Sequence, residues 1–251
     1  TYSVNLIVIS FFTAPAIYIL RKSKKEIGVC LILLLLPIIF ISYGNFQKKE
    51  FLKEELKKLP YTIRIIGTNI SLSRFYDESH TETVVNELIS ISSPVKDKKI
   101  FFLWPEGIIP NIYQNEMYLL KEVFIKNFDE NHLIGLGIIN RELDNGSYKF
   151  FNSFSIFDNK LELIDNYNKN NLVPFGEFIP FENFLKRTGL KTITNNFGSF
   201  TKGNKRKVIN IKKSSFHQLK FLPLICYEII YSGSLSKTYD FDFIFNISED
   251  G

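Results

Sequence analysis

Two uncharged apolar runs near the start of the chain constrain its fold more than any other feature. Residues 1–20 contain no charged side chain, and neither do residues 27–44. A helix needs about 20 apolar residues to cross a bilayer, and about 17 are enough in some contexts. A secretory signal peptide is the alternative for the second run, but no small-residue cleavage site follows it. We therefore predict two transmembrane helices within residues 1–44.

The short segment between these runs predicts their orientation. Residues 21–26, RKSKKE, form a basic loop, and short basic loops stay on the cytoplasmic side of a membrane. This orientation places everything after Gly44 on the opposite side. Residues 45–60 mix charged and apolar side chains in a helical pattern, so we interpret them as an amphipathic connector.

From residue 61 to residue 251 the pattern is that of a globular domain. The whole chain is 45% hydrophobic and contains 25 Phe, which is enough for a sizeable core. Short strand-like and helix-like segments alternate as far as residue 140, and residues 148–167 then read as a β-hairpin. Alternation interrupted by a hairpin predicts an α/β domain built on a mixed sheet.

Composition argues against several kinds of function. The net charge of +5 is modest, and we find no nucleic-acid-binding module, so we predict no nucleic-acid partner. The two cysteines and three scattered histidines lack the spacing of metal ligands, so we predict no metal site and no cofactor. Cys30 lies inside an apolar run that reads as membrane-embedded, which leaves Cys226 as a free thiol.

Three segments could carry chemistry, although each has a simple structural explanation. In FFLWPEG, Pro105 cannot donate to a β-ladder, so we expect strand pairing to stop there, and Glu106 then follows as a loop carboxylate or a buried base. In YNKNNLVPFGEFIP, Lys169 and Glu177 flank a proline-stiffened loop, yet most lysines are surface residues. In LPLICYEII, Cys226 ends an apolar strand and would be inert if it is only a small core residue.

The three segments make chemical sense together. A thiol nucleophile needs a base to take its proton, and a cation or hydrogen-bond donor to stabilise the oxyanion that forms on the substrate. Glu106, Lys169 and Cys226 would provide one group of each kind. A neighbouring ammonium would also favour the thiolate form of the cysteine.

The ordered motifs WPE, Y-x-K-x-x-L-V-P-F-G-E and C-Y-E resemble those of the nitrilase (carbon–nitrogen hydrolase) superfamily, which uses a Glu-Lys-Cys triad. The LVPFGE extension, CYE and the preceding apolar runs are similar to the apolipoprotein N-acyltransferase branch of that superfamily. GSFTKG (198–203) and the terminal NISEDG also match this branch. The resemblance covers residues 61–251.

The resemblance implies a nitrilase-like α-β-β-α sandwich with mixed sheets, preceded by transmembrane helices. It implies Glu106 as general base, Lys169 as oxyanion stabiliser and Cys226 as nucleophile. It also implies supporting roles and substrate contacts for a second group of residues. The supporting residues are Glu177, Tyr227 and Glu228, and the substrate-binding residues are Tyr76 and Trp104.

The same resemblance implies a ping-pong reaction at a bacterial inner membrane, with the catalytic domain in the periplasm. Cys226 would take an acyl chain from a membrane phospholipid, and the resulting thioester would acylate the amino group of a diacylated lipoprotein. Two positions depart from the family pattern, because Asn171 stands where His is frequent and Tyr76 where Trp is frequent. The family has further membrane spans before and after this region, so we expect a multi-pass protein of which the chain is a fragment cut at both ends, with the catalytic domain of residues 61–251 truncated at its C-terminus.

Two other functions remain open at this point. A membrane-tethered amidase of the same superfamily would pass its thioester to water, and the triad residues do not distinguish it from an acyltransferase. A membrane-anchored binding domain, in which Cys226 only packs, would need no triad at all.

Overall fold

The computed structural model describes residues 2–53, 59–70, 81–180, 199–213, 216–234 and 240–249. It divides the chain into two units, residues 1–58 and residues 59–251. Each unit is described by itself below.

The N-terminal unit consists of two helices, α1 (Tyr2–Leu20) and α2 (Lys24–Lys53). In the part of the chain that the structure describes, α2 alone is long and apolar enough to cross a membrane. The apolar part of α1, Ile7–Leu20, is shorter, so the span expected within residues 1–20 stays a prediction. Because α2 continues to Lys53, the first half of the expected connector prolongs this helix, and residues 54–58 lie outside the described residues.

The second unit contains a five-stranded mixed sheet in the order β1-β2-β3-β4-β5. The first three strands pair in parallel, whereas β4 and β5 are antiparallel to their neighbours. This arrangement confirms the mixed sheet that the interrupted alternation predicts. The strands are β1 (Thr62–Ile65), β2 (Ile100–Leu103), β3 (His132–Asp144), β4 (Ser147–Asp158) and β5 (Leu163–Asn168).

Helices cover one face of this sheet. Helix α3 (Thr81–Ser92) connects β1 to β2, and α4 (Lys121–Asn127) follows a 3-10 helix at Gln114–Leu120. Helix α3 buries Leu88 and Ile89, whereas Ile91 is 41% exposed. The buried face of α3 packs against Ile100 and other apolar side chains of the sheet.

A second, three-stranded sheet covers the other face. It contains β6 (Ile209–Lys213), β7 (Phe216–Ile225) and β8 (Phe243–Ile247) in that order, with β7 antiparallel to β6 and parallel to β8. Aromatic rings join the two sheets, with the centroid of Phe101 5.9 Å from that of Phe221 and 5.8 Å from that of Phe245.

Strand β2 lies at the centre of this layered structure. Its side chains alternate, with Phe102 in the core beneath the helices and Phe101 in the core between the sheets. The described residues therefore form a helix layer and two sheets, the α-β-β part of the expected sandwich. A helical layer on the outer face of the second sheet is not among the segments that the structure describes.

Candidate active site

Glu106 lies in the turn that follows β2, and this turn remains attached to the sheet. Gly137 of β3 donates its N–H to the carbonyl of Pro105 at 3.2 Å and accepts the N–H of Gly107 at 3.1 Å. We expected strand pairing to stop at Pro105, and the register of β2 with β3 ends before it, at Leu103. Proline lacks an N–H but keeps its carbonyl, and this carbonyl still accepts a hydrogen bond from β3 in the turn. The backbone of the Glu106 turn is therefore held directly against β3.

The carboxylate of Glu106 is mostly buried, with 13% of its side chain exposed. Its Oε1 accepts a hydrogen bond of 2.7 Å from Nδ2 of Asn152, whereas its buried Oε2 has no hydrogen-bond partner among the described residues. Burial raises the pKa of Glu106 above its ordinary value, and the charge of Lys169 and the Asn152 hydrogen bond only partly oppose this effect. A carboxylate with a raised pKa and an unpartnered oxygen is suited to accept a proton.

Lys169, immediately after β5, is a buried lysine with 1% of its side chain exposed. Its Nζ donates to Oε1 of Glu177 at 2.9 Å and lies 3.9 Å from Oε1 of Glu106. Glu177 is itself held by the backbone N–H of Val173, which donates to Oε2 at 2.9 Å. Burial of an ammonium is costly unless carboxylates compensate its charge, and here two of them do. Lys169 is therefore not one of the surface lysines that are usual in proteins.

Cys226 is half-buried at the point where β7 ends and a 3-10 helix, Cys226–Ser234, begins. Its φ of 53° lies in the left-handed region, which residues with a Cβ rarely adopt. The negative charges of Glu106 and Glu177 raise the pKa of its thiol, and the positive charge of Lys169 lowers it.

The thiol pKa follows from these surroundings. Burial is the largest influence and raises the pKa of Cys226, and the negative charge of Glu106 raises it further. Lys169 lowers the pKa but does not outweigh these two effects. The neighbouring ammonium thus favours the thiolate in the expected direction, but burial and Glu106 outweigh it and the pKa of Cys226 is raised overall. Attack by this sulfur requires a base at the moment of reaction.

Glu228 joins the loop that follows Lys169 to the turn that carries Cys226. Its side chain is fully buried, and its two oxygens accept hydrogen bonds from both segments. The donors to Oε1 are the Tyr167 hydroxyl at 2.9 Å and the backbone N–H groups of Asn170 at 3.1 Å and Asn171 at 3.0 Å; the donor to Oε2 is the backbone N–H of Ile225 at 3.1 Å. The buried carboxylate of Glu228 thus links the loop that follows Lys169 to the turn that carries Cys226.

The segment FTKG (200–203), within the GSFTKG match, is hydrogen-bonded to the Lys169 loop. The N–H of Gly203 donates to the carbonyl of Lys169 at 2.9 Å, and the N–H of Phe200 donates to the carbonyl of Glu177 at 2.7 Å. A Cβ at position 203 would overlap the carbonyl oxygen of Asn168, so only glycine allows this close approach.

Three further residues were expected to support the site or to contact substrate: Tyr227, Trp104 and Tyr76. Tyr227, next to Cys226, is 56% exposed. Trp104 is fully buried, and its indole N–H donates to Oγ of Ser92 at 2.9 Å, so this ring packs beneath the helices. A substrate contact of Trp104 stays a prediction that its burial does not favour. Tyr76 lies outside the described residues.

Two site residues were missed by the sequence reasoning. Asn152 bridges Glu106 and Glu177, and Arg206 donates to the backbone carbonyl of Glu228 at 3.2 Å. The available signal for Asn152 was a polar residue in the middle of an aromatic strand, FFNSF. Arg206 had no comparable signal, because it stands in a basic segment that reads as a solvated loop. Among the described residues, no group of three or more His, Cys, Asp or Glu side chains could hold a metal ion.

The chain is similar in sequence to known proteins over most of its length. Residues 62–249 match the sequence pattern of the carbon-nitrogen hydrolase family. The apolipoprotein N-acyltransferase of Brucella suis biovar 1 is 26% identical over 238 residues, which cover 92% of this chain and 43% of that protein. The corresponding protein of Agrobacterium fabrum is 27% identical over 257 residues, which cover 99% of this chain and 47% of that protein.

The match to these relatives confirms the resemblance that the three motifs indicate. The chain spans about half the length of the curated relatives that it matches. A mutant of the nitrilase-superfamily amidase from Nesterenkonia AN1 superposes with a TM-score of 0.42 and 11% identity, over 76% of this chain and 63% of the amidase. On the match of residues 62–249, the chain belongs to the carbon-nitrogen hydrolase family.

Proposed function

We propose that this chain is the catalytic region of a membrane-bound N-acyltransferase that moves an acyl chain from a phospholipid to the amino terminus of a diacylated lipoprotein. The observation that carries the proposal is the buried ammonium of Lys169. It lies between the carboxylates of Glu106 and Glu177, and the thiol of Cys226 lies within electrostatic reach of all three. A base, a cation and a nucleophile at one site are the parts that acyl transfer through a thioester needs.

In the first half-reaction, Glu106 takes the thiol proton as the sulfur of Cys226 attacks the ester carbonyl carbon of the phospholipid. The carbonyl oxygen becomes an oxyanion, which the ammonium of Lys169 stabilises. The carbon–oxygen bond to the lysophospholipid then breaks, and protonated Glu106 returns its proton to the leaving oxygen. The products are an acyl thioester on Cys226 and a lysophospholipid.

In the second half-reaction, the neutral amino group of the lipoprotein attacks the thioester carbonyl. Glu106 takes a proton from the nitrogen, the carbon–sulfur bond breaks, and the proton passes to the departing sulfur. The products are an amide and the free thiol, so the enzyme returns to its starting state. A thioester divides one difficult amide formation into two easier steps.

Two observations favour a membrane setting for this reaction. Helix α2 is long and apolar enough to cross a bilayer, and the relatives that match the chain are named apolipoprotein N-acyltransferases. We infer a location in a bacterial inner membrane, with the catalytic unit on the periplasmic side. An anchor in that membrane would confine the enzyme to the surface where both substrates are found.

The test uses the full-length protein in detergent with a phospholipid donor. We expect intact-mass measurement to detect a gain of one acyl chain that hydroxylamine removes. The gain should be absent in Cys226→Ala and present in the matched control Cys30→Ser, which removes the other cysteine. No adduct on the folded wild-type protein would contradict the proposal and favour a binding domain.

A second stage separates the acyltransferase from the amidase. Addition of a diacylated lipopeptide should discharge the thioester and produce an acylated peptide. A thioester that disappears at the same rate with and without the lipopeptide, and yields free fatty acid, would favour hydrolysis by an amidase-type enzyme.

A further inference from the structure

We propose that Asn152 is a positioning residue that fixes one oxygen of the Glu106 carboxylate and leaves the other to exchange the proton with Cys226. The inference rests on the proposed function, because it assigns a role within that same reaction. It concerns a residue in the middle of a strand, away from the three sequence motifs.

The position of Asn152 follows from strand register. Strand β4 pairs with β3 so that Asn152 lies opposite Ile139, two residues from Gly137, which holds the Glu106 turn. On the other side of β4, the carbonyl of Asn152 accepts the N–H of Lys169 at 2.8 Å. The backbone of this one residue is therefore bonded to the lysine while its side chain faces the carboxylates.

The side-chain amide of Asn152 bridges the two glutamates. Its Nδ2 donates to Oε1 of Glu106 and to Oε1 of Glu177, each at 2.7 Å. An amide nitrogen carries two hydrogens, so both bonds can form at once. The opposite orientation of the amide would turn its carbonyl oxygen toward the two carboxylates, which would be repulsive when both are ionised. The chemistry of the neighbours thus sets the orientation of the amide.

The Asn152 bridge gives the two carboxylate oxygens of Glu106 different hydrogen-bond partners. Oε1 accepts from Asn152 and lies 3.9 Å from Nζ of Lys169, whereas Oε2 is buried and has no hydrogen-bond partner in the described part of the chain. An unpartnered buried carboxylate oxygen is costly, and such atoms concentrate where a reaction needs them. Oε2 is therefore the oxygen that we assign to the proton of the Cys226 thiol.

Several charges act on Glu106 besides the bridge. Lys169, after β5, favours the ionised form, whereas Glu177 in the following loop and Glu249 after β8 oppose it. Cys226, after β7, has a thiol pKa that burial and the charge of Glu106 raise. Because burial already raises the pKa of Glu106, loss of the Asn152 donor should raise it further.

The test compares Asn152→Ala and Asn152→Asp with wild type in the full-length protein in detergent. The matched control is Asn127→Ala, which removes a half-buried amide of helix α4 that donates to the carbonyl of Val123. One readout is the pH dependence of thioester formation from phospholipid. The other needs no lipid: it is the pH dependence of Cys226 alkylation by iodoacetamide, with peptide mass mapping to separate Cys226 from Cys30.

We expect the acid limb of both profiles to move upward by about one pH unit in Asn152→Ala, because a hydrogen bond to a carboxylate stabilises its charged form. The shift should be larger in Asn152→Asp, which has nearly the same shape but adds a negative charge. The profiles of Asn127→Ala should superimpose on those of wild type.

Each alternative outcome has a distinct meaning. Profiles that superimpose on wild type in the folded variants, whatever the rate, would overturn the positioning role. If both variants fail to fold, Asn152 is a stability residue and the inference is also overturned. If wild type forms no thioester but the alkylation profile shifts as expected, the proposed function fails and the role of Asn152 stands.

Discussion

Gly137 lies directly against Glu106. A Cβ atom at position 137 would be 2.5 Å from the Cα of Glu106, closer than side chains approach backbone in folded proteins. The glycine also exchanges two backbone hydrogen bonds with the Glu106 turn, through Pro105 and Gly107. The position of Glu106 therefore depends on the absence of a side chain at position 137 of the neighbouring strand.

The first prediction is that Gly137→Ala displaces Glu106. The added methyl group meets backbone rather than a flexible side chain, so the turn must move by a large fraction of an ångström. A displacement of about 1 Å can reduce a rate by about 100-fold, and we expect a loss of this size in the rate of thioester formation. Single-turnover intact-mass measurement would give the rate.

Gly135→Ala is the matched control, because its added methyl group would meet the rings of Phe154 and Phe101 and not the Glu106 turn. It should lower the thermal midpoint but leave the rate per folded molecule close to wild type. If Gly137→Ala forms the thioester at the wild-type rate, the prediction is wrong, and the reaction does not depend on the close contact between Gly137 and Glu106.

The second prediction concerns pH. Burial raises the pKa of Glu106, and the proposed reaction needs the ionised carboxylate. Thioester formation should therefore decline as the pH falls through this raised pKa, which lies above the usual glutamate value of about 4.3. Glu106→Gln cannot accept the proton and should lose about 10²- to 10⁴-fold in rate.

The control for pH is Glu87→Gln, which changes an exposed glutamate on helix α3 and should keep the wild-type profile. An acid limb at the ordinary glutamate value in wild type would mean that Glu106 is not the group that titrates.

The third prediction tests the strained backbone of the nucleophile. Cys226 has a φ of 53°, and a left-handed conformation costs about 1–2 kcal/mol for a residue with a Cβ. Glycine adopts this conformation freely, but it makes the unfolded chain more flexible. This flexibility offsets about 0.5–1 kcal/mol of the stability that relief of the strain would give. We expect Cys226→Gly to unfold at a higher temperature than Cys226→Ala.

Both variants lack the thiol, so the comparison isolates the backbone, and neither should form a thioester. A thermal midpoint of Cys226→Ala above that of Cys226→Gly would indicate that the left-handed conformation carries no strain.

The fourth prediction concerns the buried carboxylate of Glu228. Both of its oxygens accept hydrogen bonds, so the amide nitrogen of Glu228→Gln would replace an acceptor and face a donor. We expect the free energy of unfolding to fall by about 2–3 kcal/mol. Thermal unfolding in detergent would measure the change, and Glu87→Gln again provides an exposed control. A thermal midpoint for Glu228→Gln that equals wild type would mean that these bonds contribute little.

Much of the fold could be predicted because its signals are local. The apolar length of α2 indicates a membrane span without any knowledge of its neighbours. The short apolar run IFFL and the polar turn at Asp158 indicate a buried strand and a hairpin, because apolar runs and turn chemistry are properties of short segments. The end of β2 before Pro105 has a similar local origin, since proline has no N–H to donate to a ladder.

The sequence by itself determined the candidate residues Glu106, Lys169 and Cys226, since each stands in a short motif whose residue types suit one chemical task. Tertiary structure decided how they are held. The bridge from Asn152 depends on the register of β4 beside β3 and β5, and the raised pKa of Cys226 depends on how deeply packing buries it. The burial of a side chain and the close approach of two groups depend on segments that are distant in sequence. No short sequence pattern can therefore predict them.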